Sequence, residues 1–228
     1  MALKRQAAEK ALDFIKDGMV IGLGSGSTTR IFVDLLGRKI QSGEFENIIG
    51  VPTSSTTAAQ SRAVGIPLTS LKVHPVLDLA VDGADEVDPD LNLIKGMGGA
   101  LLREKIVEIS SNIFLVIVDE SKIVTRLGIK SPLPVEIVQF EADATLRWLN
   151  SLGCEAVLNC HDNGNPIVTD NNNFIAHCYF SEGIDNVYNL ASKLSERPGV
   201  IEHGLFLDMA DKVIVAGIMG VTILEREV

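Results

Sequence analysis

Acids and bases crowd one short part of this chain: Asp82-Gly83-Ala84-Asp85-Glu86, then Lys95-Gly96-Met97-Gly98-Gly99-Ala100, then Arg103-Glu104-Lys105. The apolar run 77–81 before them reads as a buried strand, which puts Asp82 and Asp85 at its carboxyl end. In an open α/β sheet that edge is where ligands bind. Carboxylates, an ammonium group and free backbone N–H groups gathered there suit proton transfer on a small anionic substrate.

A second loop, residues 22–29, carries Gly22, Gly24 and Gly26 with Ser25, Ser27, Thr28 and Thr29. It is not a dinucleotide loop, because that fingerprint needs glycine at Ser27 or at Thr29. The second strand also ends in Pro52-Thr53-Ser54 and lacks the acid that would hold a ribose hydroxyl. No Lys-Ser/Thr follows the glycines, so it is not a P-loop. Neither NAD nor ATP is expected, and no cofactor is assigned. What remains is a turn offering N–H groups and the hydroxyls of Ser25, Ser27 and Thr28 at a helix start. That suits one phosphate or sugar hydroxyls. A glycine turn with Ser or Thr capping its helix accounts for the same residues. The turn 53–57 reads as helix capping alone.

Metal sites find little support. From Asp88, the spacing through Asp90 and Asn92 fits three calcium-loop positions, but Leu93 stands where glycine is required and Gly99 where glutamate is required. Asp88-Pro89-Asp90 is read as a polar turn. Cys154, Cys160 and Cys178 lack Cys-x-x-Cys spacing, and the pairs Cys160-His161 and His177-Cys178 lack the usual zinc spacing. Reduced thiols beside strand histidines are expected, and no metal is assigned.

Glu104 reads in two ways. On a helical wheel Leu101, Leu102, Ile106 and Ile109 form the buried stripe, so pattern alone makes Glu104 a solvated residue. Its place in the first turns of a helix leaving the glycine-rich bend turns its polar face toward the crevice. There, partial burial would suit a general base. Glu108, one turn on, reads as an exposed companion.

The elements that must position these residues follow a clear grammar. A helix over 3–17 with Gly18 as its stop precedes strand 19–23, the glycine loop and a helix to Ile40. Strand 48–51, helix to 64, strand 77–81, helix 100–111 and strand 114–118 follow. Such alternation indicates βαβ units and a mostly parallel open sheet, Rossmann-like in architecture. Near Pro132 the rhythm changes: strand 134–138, helix 141–152, strands 155–159, 167–169 and 174–180, helix 184–196, and a strand within 200–207. This approximates βαββαβ with one extra strand, a smaller α+β domain of ferredoxin-like type. Strand 211–217 is expected to return to the first sheet. The expected domains are therefore 1–130 with 205–228, and 131–204.

The chain has 228 residues, 46% of them hydrophobic, which suffices for a real core. Its net charge of −10 argues against nucleic acid, whose phosphates need clustered Lys and Arg. No apolar run reaches membrane-spanning length, and the N-terminus shows no signal-peptide core, so a cytoplasmic protein without a membrane partner is expected. An anionic ligand would need a local positive site, supplied by helix N-termini and one or two lysines.

Ser25-Gly26-Ser27-Thr28, Asp82-Gly83-Ala84-Asp85, Lys95-Gly96-Met97-Gly98, Arg103-Glu104-Lys105 and Ser121-Lys122 together resemble the signature blocks of type A ribose-5-phosphate isomerases. Order and spacing agree over roughly residues 1–140. The resemblance implies an aldose–ketose isomerase of the pentose phosphate pathway, interconverting ribose 5-phosphate and ribulose 5-phosphate through a cis-enediolate without redox cofactor or metal. It implies Glu104 as the proton-shuttling base and Ser25, Gly26, Ser27 and Thr28 as a substrate loop. Asp82 and Asp85, with Gly83 and Ala84, would meet sugar hydroxyls; Lys95, with Gly96, Met97 and Gly98, and Lys122 would surround the substrate with positive charge. Met97 departs from the family, where many relatives have a third glycine. A homodimer or larger homo-oligomer is implied. Two other readings use the same residues: a non-catalytic sugar-phosphate sensor, and an isomerase of hexose or amino-sugar phosphates.

Overall fold

The computed structural model describes residues 1–226. In chain order the elements are α1 (Ala2–Ala11), β1 (Val20–Leu23), α2 (Ser27–Gln41), β2 (Ile49–Pro52), α3 (Ser55–Ala63), β3 (Leu79–Asp82), β4 (Glu86–Val87), β5 (Leu93–Ile94), α4 (Leu101–Ile109), β6 (Phe114–Asp119), β7 (Leu133–Ile137), α5 (Ala142–Asn150), β8 (Glu155–Leu158), β9 (Phe174–Tyr179), α6 (Val187–Ser195), β10 (Val200–His203), β11 (Leu205–Phe206), β12 (Lys212–Gly217) and β13 (Gly220–Glu225). Among the described residues no helix is long and apolar enough to cross a membrane.

By packing, the chain divides into two units. The first takes Met1–Ala84, Arg103–Lys122 and the residues from Asp208 onward; the second takes Asp85–Leu102 and Ile123–Leu207. Residues 85–102, 123–130 and 205–207, allotted above to the α/β part by rhythm, pack with the second unit. Positions 227 and 228 of the expected 205–228 segment lie outside the described residues.

The first unit is an α/β layer structure. Its sheet runs β13-β12-β6-β3-β1-β2, parallel throughout except for the β12–β13 hairpin. The parallel strands are short apolar runs such as Phe114–Val118, buried along their length as strands covered on both faces must be. Ala7, Ala8 and Ala11 of α1 and Phe32, Val33 and Leu36 of α2 pack on Ile21, Leu23, Ile117 and Ile214. The three alanines let α1 lie close to the sheet. As expected, the last buried strand returns here: Val213 pairs with Val116 and Val215 with Val118, in parallel.

In the second unit, β10-β7-β9-β8 form an antiparallel sheet. With α5 and α6 the chain order is βαββαβ, and the strand order 4-1-3-2 is the ferredoxin-like one. Val135, Ile137, Ala176 and Cys178 turn toward Leu149 of α5 and Leu190 and Leu194 of α6. The extra strand expected at 167–169 does not form; only isolated bridges join Cys160 to Pro166 and Val168 to Phe174. The turns at Asn163-Gly164 and Asn171-Asn173 leave too few residues between them for a ladder. The strand expected within 200–207 breaks at Gly204. Its first half pairs with β7, and its second half pairs with β5 in a small sheet β11-β5-β4. The two-residue strands β4 and β5 are too short to show any alternation in sequence.

Candidate active site

At the carboxyl end of β1 and β3, in the first unit, Asp82 is fully buried and its Oδ1 is the hub of the glycine loop. It accepts from Ser25 N–H at 2.9 Å, Gly83 N–H at 2.7 Å and Thr29 Oγ1 at 2.9 Å. Gly24 makes this approach possible, since a Cβ there would stand 2.0 Å from Asp82 Cγ. The Ser25 hydroxyl turns toward Thr53, Ser54 and Thr57, at 2.8, 2.9 and 3.1 Å. The turn 53–57 therefore does more than cap a helix. Ser54 does accept from Thr57 N–H as a cap, but the same hydroxyls brace the glycine loop.

The start of α2 departs from the expected Ser or Thr cap. Its N-cap is Gly26, so no side chain covers the first N–H groups of the helix. Beside it, Lys4 Nζ donates to Ser27 Oγ at 2.8 Å. Lys122 lies at the end of β6 in the same unit. Burial disfavours the charge on Asp119, yet the Ser121 hydroxyl and N–H, with Lys4 and Lys122, hold its carboxyl below the usual range. Lys4, the Ser27 hydroxyl and the uncapped N–H groups of α2 form a corner suited to one phosphate, and Lys122 lies with Lys4 in the surroundings of Asp119. Thr28 of the same loop is buried.

Helix α4 is rotated relative to the reading from its apolar pattern. Its buried positions are Leu101, Glu104, Val107 and Glu108, whereas Ile106 is half-exposed and Ile109 is 74% exposed. Glu104 is only 4% exposed, so the solvated reading fails, and Glu108, at 2%, is not an exposed companion. The cause is what the helix packs against. Val107 lies over β1 and β3, where a Cβ on Gly22 would meet Val107 Cγ1 at 2.8 Å and Ala80 Cβ at 2.9 Å. The end of α4 is tied to the amino end of β3: Leu77 N–H donates to Ser110 O, and Asn112 N–H to Leu77 O, both 2.8 Å. The helix thus runs against the strands. Glu104, one turn before Val107 on the same face, points to the carboxyl edge where Gly24 and Asp82 lie.

The remaining candidates belong to the second unit. Asp85 Oδ2 accepts from Met97 N–H at 3.1 Å, so it pins the lysine loop. Lys95 is 2% exposed, its ammonium 5.4 Å from the centre of the Phe206 ring, a cation–π contact. Gly96 has φ +104°, and a Cβ there would strike Leu101 Cβ at 2.6 Å, so this bend is closed to side chains. Met97 has no positive φ, so its position tolerates a side chain. Glu86 is structural: it is buried and accepts from the N–H groups of Gly128, Lys130 and Ser131.

Asp88 accepts from the N–H groups of Asp90 and Asn92, the polar turn expected, and burial raises its carboxyl above the usual range despite those bonds. Cys160 is exposed, whereas Cys178 is buried beside Cys154; that pairing and its burial push the Cys178 thiol well up. Among the described residues no group of three or more His, Cys, Asp or Glu is placed to hold a metal ion.

Sequence reasoning missed Lys4, Thr29, Thr53 and Thr57. Lys4 lies on a helix whose pattern is all alanine packing, and nothing local marks it. Thr29 was visible only as a further hydroxyl after Thr28.

Comparison with known proteins places these features in a family. Residues 49–220 match the model of ribose 5-phosphate isomerase A (phosphoriboisomerase A). The chain is 50% identical to a probable ribose-5-phosphate isomerase 2 of Arabidopsis thaliana, over 97% of this chain and 85% of that one. It is also 50% identical to a ribose-5-phosphate isomerase A of Roseiflexus castenholzii, over 97% and 94%. A solved D-ribose-5-phosphate isomerase in complex with phospho-erythronic acid superposes with a TM-score of 0.95 at 46% identity, covering 99% of this chain and 98% of that one. The ribose 5-phosphate isomerase A of Methanocaldococcus jannaschii does so with 0.92 at 41%, covering 98% of each.

Proposed function

The chain belongs to the ribose 5-phosphate isomerase A family, and from that premise we propose how its residues interconvert D-ribose 5-phosphate and D-ribulose 5-phosphate. Glu104 takes the proton from C2 of the open-chain aldose. The electron pair forms the C1–C2 double bond of a cis-enediolate, leaving negative charge on O1. Glu104 returns its proton to C1 as the O2 hydroxyl proton passes to O1, which leaves a C2 ketone. Atoms and electrons balance within the sugar, so the step needs no redox cofactor.

One observation carries this reading: Glu104 is withdrawn from solvent on a helix face where pattern alone would place an isoleucine. Desolvating a carboxylate costs several kcal/mol, and one buried on the face that points to the carboxyl edge of β1 and β3 is a functional-site candidate, which Glu108, one turn farther away, is not. Lys95, buried likewise, would stabilise the oxyanion, and such stabilisation is commonly what lowers the barrier most in reactions of this kind. Lys4, Lys122, Ser27 and the α2 N-terminus would hold the phosphate. Asp82, with Oδ1 committed to the loop, would shape that site and meet sugar hydroxyls; Asp85 and the N–H groups of residues 96–98 would meet the rest. A discontinuous α/β domain with a smaller α+β domain, a homodimer, a cytoplasmic location and a place in the pentose phosphate pathway belong to the same reading.

The test is a coupled assay of purified protein with ribose 5-phosphate in the presence of chelator. Turnover at full rate is expected, with no comparable turnover of hexose or amino-sugar phosphates. Activity that vanishes on chelation and returns with magnesium would overturn the metal-free step. Binding of ribose 5-phosphate without turnover would establish the sensor instead.

A further inference from the structure

Helix α4 is apolar on two sides, and the first unit covers only one of them. Leu101 and Val107 turn inward with Glu104 and Glu108, whereas Ile106 and Ile109, three positions apart on one face, turn to solvent. These isoleucines belong to the stripe that the helical pattern marks as buried. A helix apolar on more than one side needs cover on each.

The outer side does not end at the helix. Leu77 N–H donates to Ser110 O and Asn112 N–H to Leu77 O, both at 2.8 Å, so the segment leading into β3 is bound to the residues that follow α4. Leu71 and Leu77 of that segment pack with Val107, while Val76, next to Leu77, turns outward. Val73 stands in a turn closed by its own N–H on Ser70 O, and Ile113 O accepts from Ala80 N–H at 2.8 Å. Val73, Val76, Ile106, Ile109 and Ile113 thus share one apolar face of the first unit, each between 37% and 74% exposed. Their exposed surface is on the order of 500 Å², near the upper end of what a monomer leaves in one patch. A standard interface takes about 800 Å² from each partner, so these five residues supply its apolar centre and their neighbours its rim.

We propose that this face is where a second copy of the chain docks. The proposal rests on the homodimer reading and names its surface. A two-fold contact sets one patch against itself, so the patch must be self-complementary. A centre without charge meets that need, because nothing in it is left desolvated and unpaired. The rim carries both signs, in Lys72, Lys105 and Asp78, where a rim of one sign would repel its own copy. With the two α4 helices antiparallel across the axis, Ile106 meets Ile109 of the partner subunit. The helix that carries Glu104 is then held from both sides. Ile218 and Met219, more exposed still, stand at the tip of the β12–β13 hairpin and are too few to centre an interface.

Light scattering of the purified full chain at micromolar concentration tests this. The wild type should have the mass of two chains. Ile109→Lys and Val73→Asp, on different elements of the face, should each weaken association ~10²-fold and give the mass of one chain. Both positions are exposed within the single chain, so the variants should keep a cooperative melt. Ile218→Lys, outside the face, should leave the mass of two chains. If either face variant folds and still associates like the wild type, the proposal falls while the homodimer reading stands. A monomeric wild type overturns both. A second measurement does not depend on how a variant folds. Amide exchange over residues 106–113 of the wild type should quicken when the dimer is diluted to monomer, and exchange at the hairpin tip should not. Unchanged exchange over 106–113 overturns the proposal.

Discussion

Glu104 and Glu108 show how much one helix rotation decides. Both sit in the buried stripe of α4, while Ile106 and Ile109 face outward. Glu104→Gln keeps size and hydrogen bonding but removes the base, so kcat should fall by ~10²–10⁴ with the melting temperature nearly unchanged. Wild-type turnover and wild-type solvent exchange at C1 and C2 in that variant would take Glu104 out of the mechanism. Glu108 is too buried to serve as a neutral control. Glu9, exposed and paired with Arg5, serves instead, and Glu9→Gln should change neither kcat nor stability by more than ~0.5 kcal/mol. The lysines should separate by role. Lys95→Ala should cost mainly kcat, while Lys4→Ala and Lys122→Ala should raise KM roughly ten- to a hundredfold, the worth of one charge-assisted hydrogen bond. A pure KM effect for Lys95 would move it from the enediolate to the phosphate.

At the scale of elements, the two glycine bends differ in kind. In the first, Gly24 is a matter of space, because Asp82 occupies the volume a Cβ would take. Gly24→Ala must displace the carboxylate that holds Ser25, Thr29 and Gly83, and should destabilise the fold by ~1–3 kcal/mol and abolish turnover. In the second bend, a Cβ on Gly98 would meet nothing within 4 Å, and its backbone is open to any residue. Gly98→Ala should leave the melting temperature unchanged and raise KM, because on the proposed site the sugar would meet the new methyl. A Gly98→Ala protein with unaltered KM would show that the sugar does not approach this loop backbone. Helix α2 belongs to the same logic. Its start carries Gly26 where a serine cap is usual, which leaves its N–H groups to an anion.

For the molecule as a whole, pH sensitivity follows from His177. Its folded pKa is lowered, so between that value and the ordinary ~6.5 the unfolded chain binds more protons than the folded one. Stability is then fully present above ~6.5 and declines as pH falls through the folded value. Thermal melts should show this acid-side loss in the wild type and a smaller one in His177→Gln; identical slopes would mean the imidazole does not titrate across folding. Association is the other question at this scale. A homodimer predicts a solution mass twice the 24.5 kDa of the chain, readable by light scattering, and a monomer at micromolar concentration would exclude it.

Local grammar alone determined much of this protein. Strands followed by glycine or hydroxyl turns and then helices fixed the parallel sheet, because strand runs and turn residues are short-range properties. The failure of Gly22, Gly24 and Gly26 to meet dinucleotide spacing was readable in the same way, as was the placing of Asp82 and Asp85 at a strand end. Tertiary packing decided the rest. Pattern assumes that apolar residues turn inward, but the inward face of α4 is set by where Val107 meets Gly22 and Ala80, and two glutamates go with it. Lys4 reaches Ser27 across 23 positions of sequence, and Lys95 reaches Phe206 across more than a hundred. No window of residues contains such pairs, because they exist only once distant elements have been packed together.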